Sequence, residues 1–413
     1  MYIAKGQLGC IHSADEVTMV RSKYRGAVCA LLLSAFLLPI PETSRAVHAD
    51  GHPPDVTAEA AALIDVESGR LLYSKNGDRP MRIASLTKIM TAIVAIEHGR
   101  LSDMVKVSKN AYGKEGSSIY LRLGEEMSLE HLLYGLMLRS GNDAATAIAE
   151  HVGGSEEGFV LMMNRKAEEL GLQNTHFANP HGLDADGHMS TANDLARLTA
   201  YALKNPVFRE IVKTERKTAP NPNDPWDYVW RNKNKMLRLY EGADGVKTGF
   251  TKAAGRCLVS SATRNGQQLA AVTLRASNDW NDHAKLLDFG FAHYELETLV
   301  HKGANIQGTD LVAERSFRYS LTAEEKSSVR LILDKLPEHS LDYALGLRGR
   351  LRIEVGGDTI GQVPVVEQGS PRLMRADTAF GHMFPGAPEE AQPTDAVSSF
   401  LRVLRTVFCE VLS

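Results

Sequence analysis

Two hairpin-forming stretches lie far apart in this chain with helix-patterned sequence between them, and that layout restricts the fold more than any other feature. Near the start, the apolar runs Ala61-Ala62-Leu63-Ile64 and Leu71-Leu72-Tyr73 flank Glu67-Ser68-Gly69-Arg70, the chemistry of a tight turn. Much later, strand-like Gly245 to Thr248 is followed by Cys257 to Ala262 and Leu269 to Leu274, joined through Asn265-Gly266, a strong hairpin signal. Between them, Leu86, Ile89, Met90, Ile93 and Ile96 recur at three- and four-residue spacing up to His98-Gly99. Further helices fit Leu129 to Leu138, Asp143 to His151, Glu156 to Leu170 and Thr191 to Leu203, the last opening on Thr191 three residues before Asp194 and ending before Pro206. Strands at both ends with helices between fit a sheet covered by helices, an α+β arrangement with an added helical block.

The flanks differ from this body. Arg21, Lys23 and Arg25 precede an apolar run from Gly26 to Ile40, too short to span a bilayer, and Val47-His48-Ala49 supplies the small residues of a cleavage site. Residues 1–49 are therefore expected to be an N-terminal extension and signal peptide, cleaved near Ala49, with Met19 the expected initiator because Asp15 and Glu16 are foreign to a signal. The body spans 50–296, and short alternating strands such as Leu351 to Val355, turned by Gly356-Gly357-Asp358, predict a small β-rich domain over 297–374. Pro385, Pro388 and Pro393 make 375–394 a linker. In 395–413, Val397, Phe400, Leu401, Leu404, Val407, Phe408, Val411 and Leu412 fall on one helical face, predicting an amphipathic helix lying on a membrane surface.

Composition removes several classes of function. With 47 Lys+Arg against 50 Asp+Glu the chain has no basic excess for nucleic acid, and 43% hydrophobic residues exclude a disordered polymer. Of the four cysteines, Cys10 and Cys29 fall in the segment expected to be removed, so Cys257 and Cys409 remain and no disulfide framework is expected. His176, His181 and His188 invite a zinc reading, but their spacings match no usual ligand pattern; they are expected to hold loop backbone, with no metal.

Three short motifs carry the chemistry. Ser85-Leu86-Thr87-Lys88 puts a hydroxyl and an amine on one face at a helix N-terminus, where the amine can act as base for the hydroxyl and helix amides can help an oxyanion. Ser140-Gly141-Asn142 sits in a loop between two helices. Lys247-Thr248-Gly249 lies in a strand-like run, with Gly249 giving backbone room for a ligand. Each is near noise alone. In this order, in a chain with an export signal, they are the signature of serine penicillin-recognising enzymes.

The surrounding text resembles the low-molecular-mass D-alanyl-D-alanine carboxypeptidases in detail from about Ala58 to Leu296. The resemblance rests on Ala84-Ser85-Leu86-Thr87-Lys88-Ile89-Met90-Thr91, Ser140-Gly141-Asn142-Asp143-Ala144-Ala145, Thr175 to Leu183, and Asp244-Gly245-Val246-Lys247-Thr248-Gly249-Phe250-Thr251. It implies a β-lactamase/transpeptidase-like fold, no cofactor, and removal of the terminal D-alanine from peptidoglycan stem peptides at the outer face of the cytoplasmic membrane, with β-lactams as inhibitors. It also implies Ser85 as nucleophile, Lys88 as base, Ser140 as proton relay, Asn142 as a partner of the substrate amide, Lys247 and Thr248 as holders of its terminal carboxylate, and the Phe250 N–H as an oxyanion donor.

Two other readings remain open at this stage. A serine β-lactamase needs a Glu for deacylation, and Glu169-Leu170-Gly171-Leu172-Gln173 imitates that pattern with Gln at its end; a helix terminus capped by Gly171 is the plainer reading. A non-catalytic penicillin-binding wall scaffold is disfavoured by three intact motifs.

Overall fold

The computed structural model describes residues 53–374, so the expected signal peptide over 1–49, the expected linker at 375–394, the expected amphipathic helix at 395–413 and Cys409 lie outside the described residues. The sheet forms as the two hairpins require. Strands β1 (Ala60–Asp65) and β2 (Leu71–Lys75) make the first hairpin; β3 (Ala243–Thr251), β4 (Gly255–Arg264) and β5 (Gln267–Leu274) make the later meander. The order is β2-β1-β5-β4-β3, antiparallel throughout, with Ala60 opposite Leu274 and Asp65 opposite Leu269 where the two ends join. Positive φ at Gly69 (71°), Asn265 (50°) and Gly266 (77°) is what those turns demand.

Strand β1 is buried along its whole length because both faces of the sheet are covered. Its alternation sorts the residues: Ala60, Ala62 and Ile64 enter one core, Ala61 and Leu63 the other. The first core is built by helices α1 (Lys88–His98), α2 (Leu129–Tyr134), α3 (Asn142–Gly153), α4 (Glu156–Glu169), α5 (Ala192–Lys204) and α6 (Pro206–Lys213). The second is closed by α7 (Asp279–His293), a helix the sequence analysis did not anticipate, through Leu286 and Leu287. Gly290 lets α7 approach the sheet: a Cβ there would stand 2.5 Å from Leu269 Cδ1.

The expected helix starts and stops hold with small shifts. Thr191 caps α5, accepting from the Asp194 N–H at 3.1 Å, and Gly171 follows α4 at φ 64°. Pro206, read as a stop, also opens α6, because proline suits the first turn of a helix and Asn205 caps it through Val207 and Phe208. The helix expected over Leu129 to Leu138 turns α-helical only to Tyr134; Gly135–Arg139 widens into a π turn that delivers Ser140 in left-handed backbone at φ 65°.

A smaller β layer follows α7. Strand β6 (Glu295–Val300) pairs with β8 (Phe317–Leu321), while β7 (Leu311–Ala313), β9 (Arg330–Lys335), β10 (Gly349–Val355) and β11 (Asp358–Glu367) form a sheet ordered β7-β11-β10-β9. It has its own apolar cluster, with Phe317, Leu351, Ile353, Val363 and Val365 buried. Arg70, from the first hairpin turn, joins the two layers: its guanidinium meets Glu325 at 2.6 Å and the Ser320 carbonyl at 2.7 Å, and lies over the Tyr294 and Tyr319 rings. No helix among the described residues is long and apolar enough to cross a membrane.

Candidate active site

The segment carrying Ser85 is a tight turn locked from three sides. Ala84–Thr87 is a 3-10 turn leading into α1, anchored by buried Ile83, Leu86, Ile89 and Met90, with Ala84 at φ 47°. A non-glycine residue in that region is strained, so something must hold it. Thr87 Oγ1 donates to the Ala84 carbonyl at 2.8 Å and meets His188 Nε2 at 2.7 Å. His188 Nδ1 accepts from the Ala178 N–H at 2.9 Å, so its Nε2 carries the proton toward Thr87. Burial, then the neighbouring His181 and His176, pushes its pKa down to about 4, so this ring is a neutral strut.

Gly182 closes the turn from the other side. At φ 83°, a Cβ there would stand 2.0 Å from the Ala84 carbonyl oxygen and 2.9 Å from Thr87 Oγ1. The variant Gly182→Ala should lose about 2–4 kcal/mol of stability, combining backbone strain with overpacking, and should slow acylation of Ser85. Gly187→Ala is the control, since that glycine is equally left-handed but has its nearest neighbour at 3.7 Å. Equal urea midpoints for the two variants would show that close approach is not what Gly182 provides.

Lys88 is completely buried at the first turn of α1, and its Nζ lies 3.1 Å from Ser85 Oγ and 2.7 Å from Asn142 Oδ1, with the His181 carbonyl as a third acceptor. Burial, then Lys247 and Lys233, holds its pKa well below the usual lysine range, against a smaller opposing pull from Asp143. Such a shift makes the amine easier to deprotonate, which is the requirement a general base beside a serine hydroxyl has to meet. Asn142 opens α3 and its carboxamide is shared: Oδ1 takes the lysine, while Nδ2 donates to the Glu115 carbonyl at 2.6 Å. Ser140 is 4% exposed, and its hydroxyl has no hydrogen-bond partner among the described residues.

The third motif runs along edge strand β3. Gly249 packs against the turn that carries Ser85 so closely that a Cβ would stand 3.2 Å from the Ser85 nitrogen and 3.3 Å from the Ile83 carbonyl, which explains glycine there. Lys247 is 1% exposed and donates only to the Thr248 carbonyl, at 2.7 Å. Burial, then Lys233, pulls its pKa down to about 7. Thr248 is partly exposed, and Phe250 presents its ring to solvent at 65% exposure.

The fold thus gathers Ser85 from the 3-10 turn, Lys88 from α1, Ser140 from the end of the π turn, Asn142 from α3, and Lys247, Thr248, Gly249 and Phe250 from the sheet edge. Sequence reasoning missed Lys233, which depresses both buried lysines, and the His181 carbonyl, which no side-chain motif can reveal. It also missed Asp143. That carboxylate accepts from the Ser118 hydroxyl at 2.6 Å and from the Ile119 and Leu121 amides at 3.1 Å, fixing the loop whose Ser117 carbonyl receives the Asn142 N–H.

His181 Nε2 meets Glu156 at 3.4 Å, and among the described residues no cluster of three or more His, Cys, Asp or Glu side chains is arranged to hold a metal ion. Glu169 ends α4 paired with Lys166 at 2.7 Å and half-exposed, a helix terminus rather than a deacylating base. Cys257 is buried, and burial pushes its thiol up to about 11, so it is inert.

A sheet edge, a Ser-Lys pair at a helix start and a buried second lysine define a serine acyl-transfer fold, and known proteins share it. A family model for D-alanyl-D-alanine carboxypeptidases matches residues 47–278. The chain is 34% identical over 379 residues to the D-alanyl-D-alanine carboxypeptidase DacC of Escherichia coli, covering 85% of this chain and 92% of that one. It is 38% identical over 280 residues to DacF of Bacillus subtilis, covering 66% of this chain and 72% of that protein. The solved structure of penicillin binding protein 5 from Haemophilus influenzae superposes with a TM-score of 0.65 at 27% identity, covering 76% of this chain and 98% of that one. The chain belongs to the D-alanyl-D-alanine carboxypeptidase family of serine peptidases.

Proposed function

We propose that the chain removes the terminal D-alanine from peptidoglycan stem peptides through an acyl-enzyme on Ser85, and that β-lactams acylate the same hydroxyl. The observation that carries this is the fully buried Lys88 amine 3.1 Å from Ser85 Oγ, its pKa drawn well down by burial and by a second buried lysine whose one acceptor is a backbone carbonyl. Lys88 takes the Ser85 proton as Oγ attacks the carbonyl of the penultimate D-alanine. The Ser85 and Phe250 amides stabilise the oxyanion, and Lys247 with Thr248 holds the free carboxylate of the leaving residue. Ser140 passes the proton from Lys88 to the leaving amine, breaking the peptide bond. Asn142 orients Lys88 and reaches the substrate amide. Water, deprotonated by Lys88, then hydrolyses the ester and returns Ser85.

In the same reading, residues 1–49 direct export, the β layer beyond residue 296 is a separate domain, and 375–413 tether the enzyme to the membrane surface through the amphipathic helix. The enzyme then works at the outer face of the cytoplasmic membrane.

The test is D-alanine release from diacetyl-L-Lys-D-Ala-D-Ala by the purified protein, with the penicillin adduct located by peptide mass spectrometry. Release together with an adduct on Ser85 is expected. An adduct elsewhere, or labelling without release, overturns the reading in favour of a binding scaffold, and rapid hydrolysis of the penicillin itself overturns it in favour of a β-lactamase.

A further inference from the structure

Beside the Ser140–Asn142 loop lies a groove of about 400 Å³, lined on one side by Ser118 to Tyr120 and on the other by Tyr228, Trp230 and Arg231, with Arg139 also contributing. The carboxypeptidase mechanism does not use it. Its walls are built: Tyr228 stacks on the nearly buried Trp230 at 5.7 Å, the Tyr228 hydroxyl is tied to Glu125 at 3.0 Å, and Asp143 fixes the opposite loop. It adjoins the active site. Arg139 immediately precedes Ser140, and Ser117, next to the groove residue Ser118, gives its carbonyl to the Asn142 N–H at 2.7 Å and accepts Lys233 Nζ on its hydroxyl at 3.2 Å.

The groove's charge is one-sided. Arg139 bonds only to the Arg231 carbonyl, at 3.4 Å, and among the described residues neither arginine nor Lys233 has a carboxylate within ion-pair distance. Nearby cations are satisfied differently: Arg122 pairs with Asp224 at 2.6 Å and Lys217 with Glu130 at 3.4 Å. The acids at the groove are already occupied, Asp143 by loop amides and Glu125 by Tyr228 and the Arg122 N–H. Lys233 is depressed by burial and then by Arg139, and itself depresses Lys247, so positive charge extends from the carboxylate clamp to the groove. An apolar aromatic floor with unpaired guanidinium groups at its edge fits an extended peptide that carries carboxylates.

The leaving D-alanine occupies the Lys247 end, so the rest of the substrate runs away from it, past Asn142. We infer that the groove binds the stem peptide upstream of the scissile bond, and that Arg139 and Arg231 select a free carboxylate there, on the γ-linked D-glutamate or on a diaminopimelate third residue. The inference rests on the carboxypeptidase reading and names the substrate class of that site. It assigns the enzyme a preference for acidic stems over neutral acyl-lysine peptides.

The test compares kcat/KM for L-Ala-γ-D-Glu-diaminopimelate-D-Ala-D-Ala, for the same peptide with either carboxylate amidated, and for diacetyl-L-Lys-D-Ala-D-Ala. The acidic peptide should be favoured at least tenfold over the diacetyl peptide, mainly through KM, and amidation of the recognised carboxylate should remove that advantage. In Arg139→Gln and Arg231→Gln the ratio of acidic to diacetyl kcat/KM should fall about tenfold. Using the ratio within each variant cancels any general disturbance of neighbouring Ser140. A ratio unchanged in both variants, or a parent peptide cleaved no better than its amidated forms, would overturn the inference while leaving the carboxypeptidase reading intact. No D-alanine released from any peptide, the diacetyl reference included, would overturn both.

Discussion

Lys88→Met should acylate with penicillin about 10⁴-fold more slowly than the parent enzyme while keeping its fold, because it removes the base and little else. Among the described residues the amine is the only titratable group bonded to Ser85 Oγ, at 3.1 Å, and it is itself fully buried. Methionine has nearly the same length and volume and introduces no charge. Its cost is the loss of a donor to Asn142 Oδ1 and the His181 carbonyl, each about 1–3 kcal/mol if left unsatisfied, set against relief of burying an amine. Lys88→Gln separates these effects, since its amide can still donate to both acceptors yet cannot take a proton at neutral pH. Both variants should therefore lose activity alike and differ in stability. Labelling by a fluorescent penicillin, followed over hours, reads the rate. If either variant labels within tenfold of the parent, Lys88 is not the base.

That prediction needed coordinates only for its magnitude, since the Ser-Lys spacing is visible in the sequence. The same holds for the sheet: Gly69 and Asn265-Gly266 are turn residues whose backbone requirements are local, and the unbroken apolar run from Ala60 to Ile64 is what a strand covered on both faces carries. What was not legible depends on contacts distant along the chain. The His181 carbonyl reaches Lys88 across 93 residues, and the two strands of the groove ribbon, Arg216–Ala219 and Tyr228–Arg231, are too short to stand out. Helix α7 is amphipathic but lies between two strand-rich regions, where pattern reading favours continuation of strands. Gly182 is the instructive case: its sequence context resembles a family motif, yet only the 2.0 Å approach to Ala84 explains why no side chain fits.

Lys247 is where function and stability oppose each other, and Lys247→Met should display both. The lysine is 1% exposed and has one acceptor, the Thr248 carbonyl, so its charge is poorly compensated until a substrate carboxylate arrives. Its pKa of about 7 in the folded protein lies below the ordinary lysine value, so the unfolded chain binds more protons between about pH 7 and 10.4, and stability rises with pH across that window. The penalty is fully present below pH 7 and vanishes above the unfolded value. Lys247→Met should consequently be more stable than the parent by a few kcal/mol at pH 6.5, with the difference shrinking toward zero by pH 10.4. Carboxypeptidase activity should fall about 100-fold, because a charge-assisted contact to the terminal carboxylate is lost. Removing this cation also relieves Lys88, whose pKa then rises and moves the acid limb of the acylation profile to higher pH. Urea unfolding at several pH values reads the first effect and the pH profile of penicillin labelling reads the last. A variant less stable than the parent at pH 6.5 would mean that the Lys247 charge is well compensated in the free enzyme, and an unmoved acid limb would mean that it does not set the protonation of Lys88.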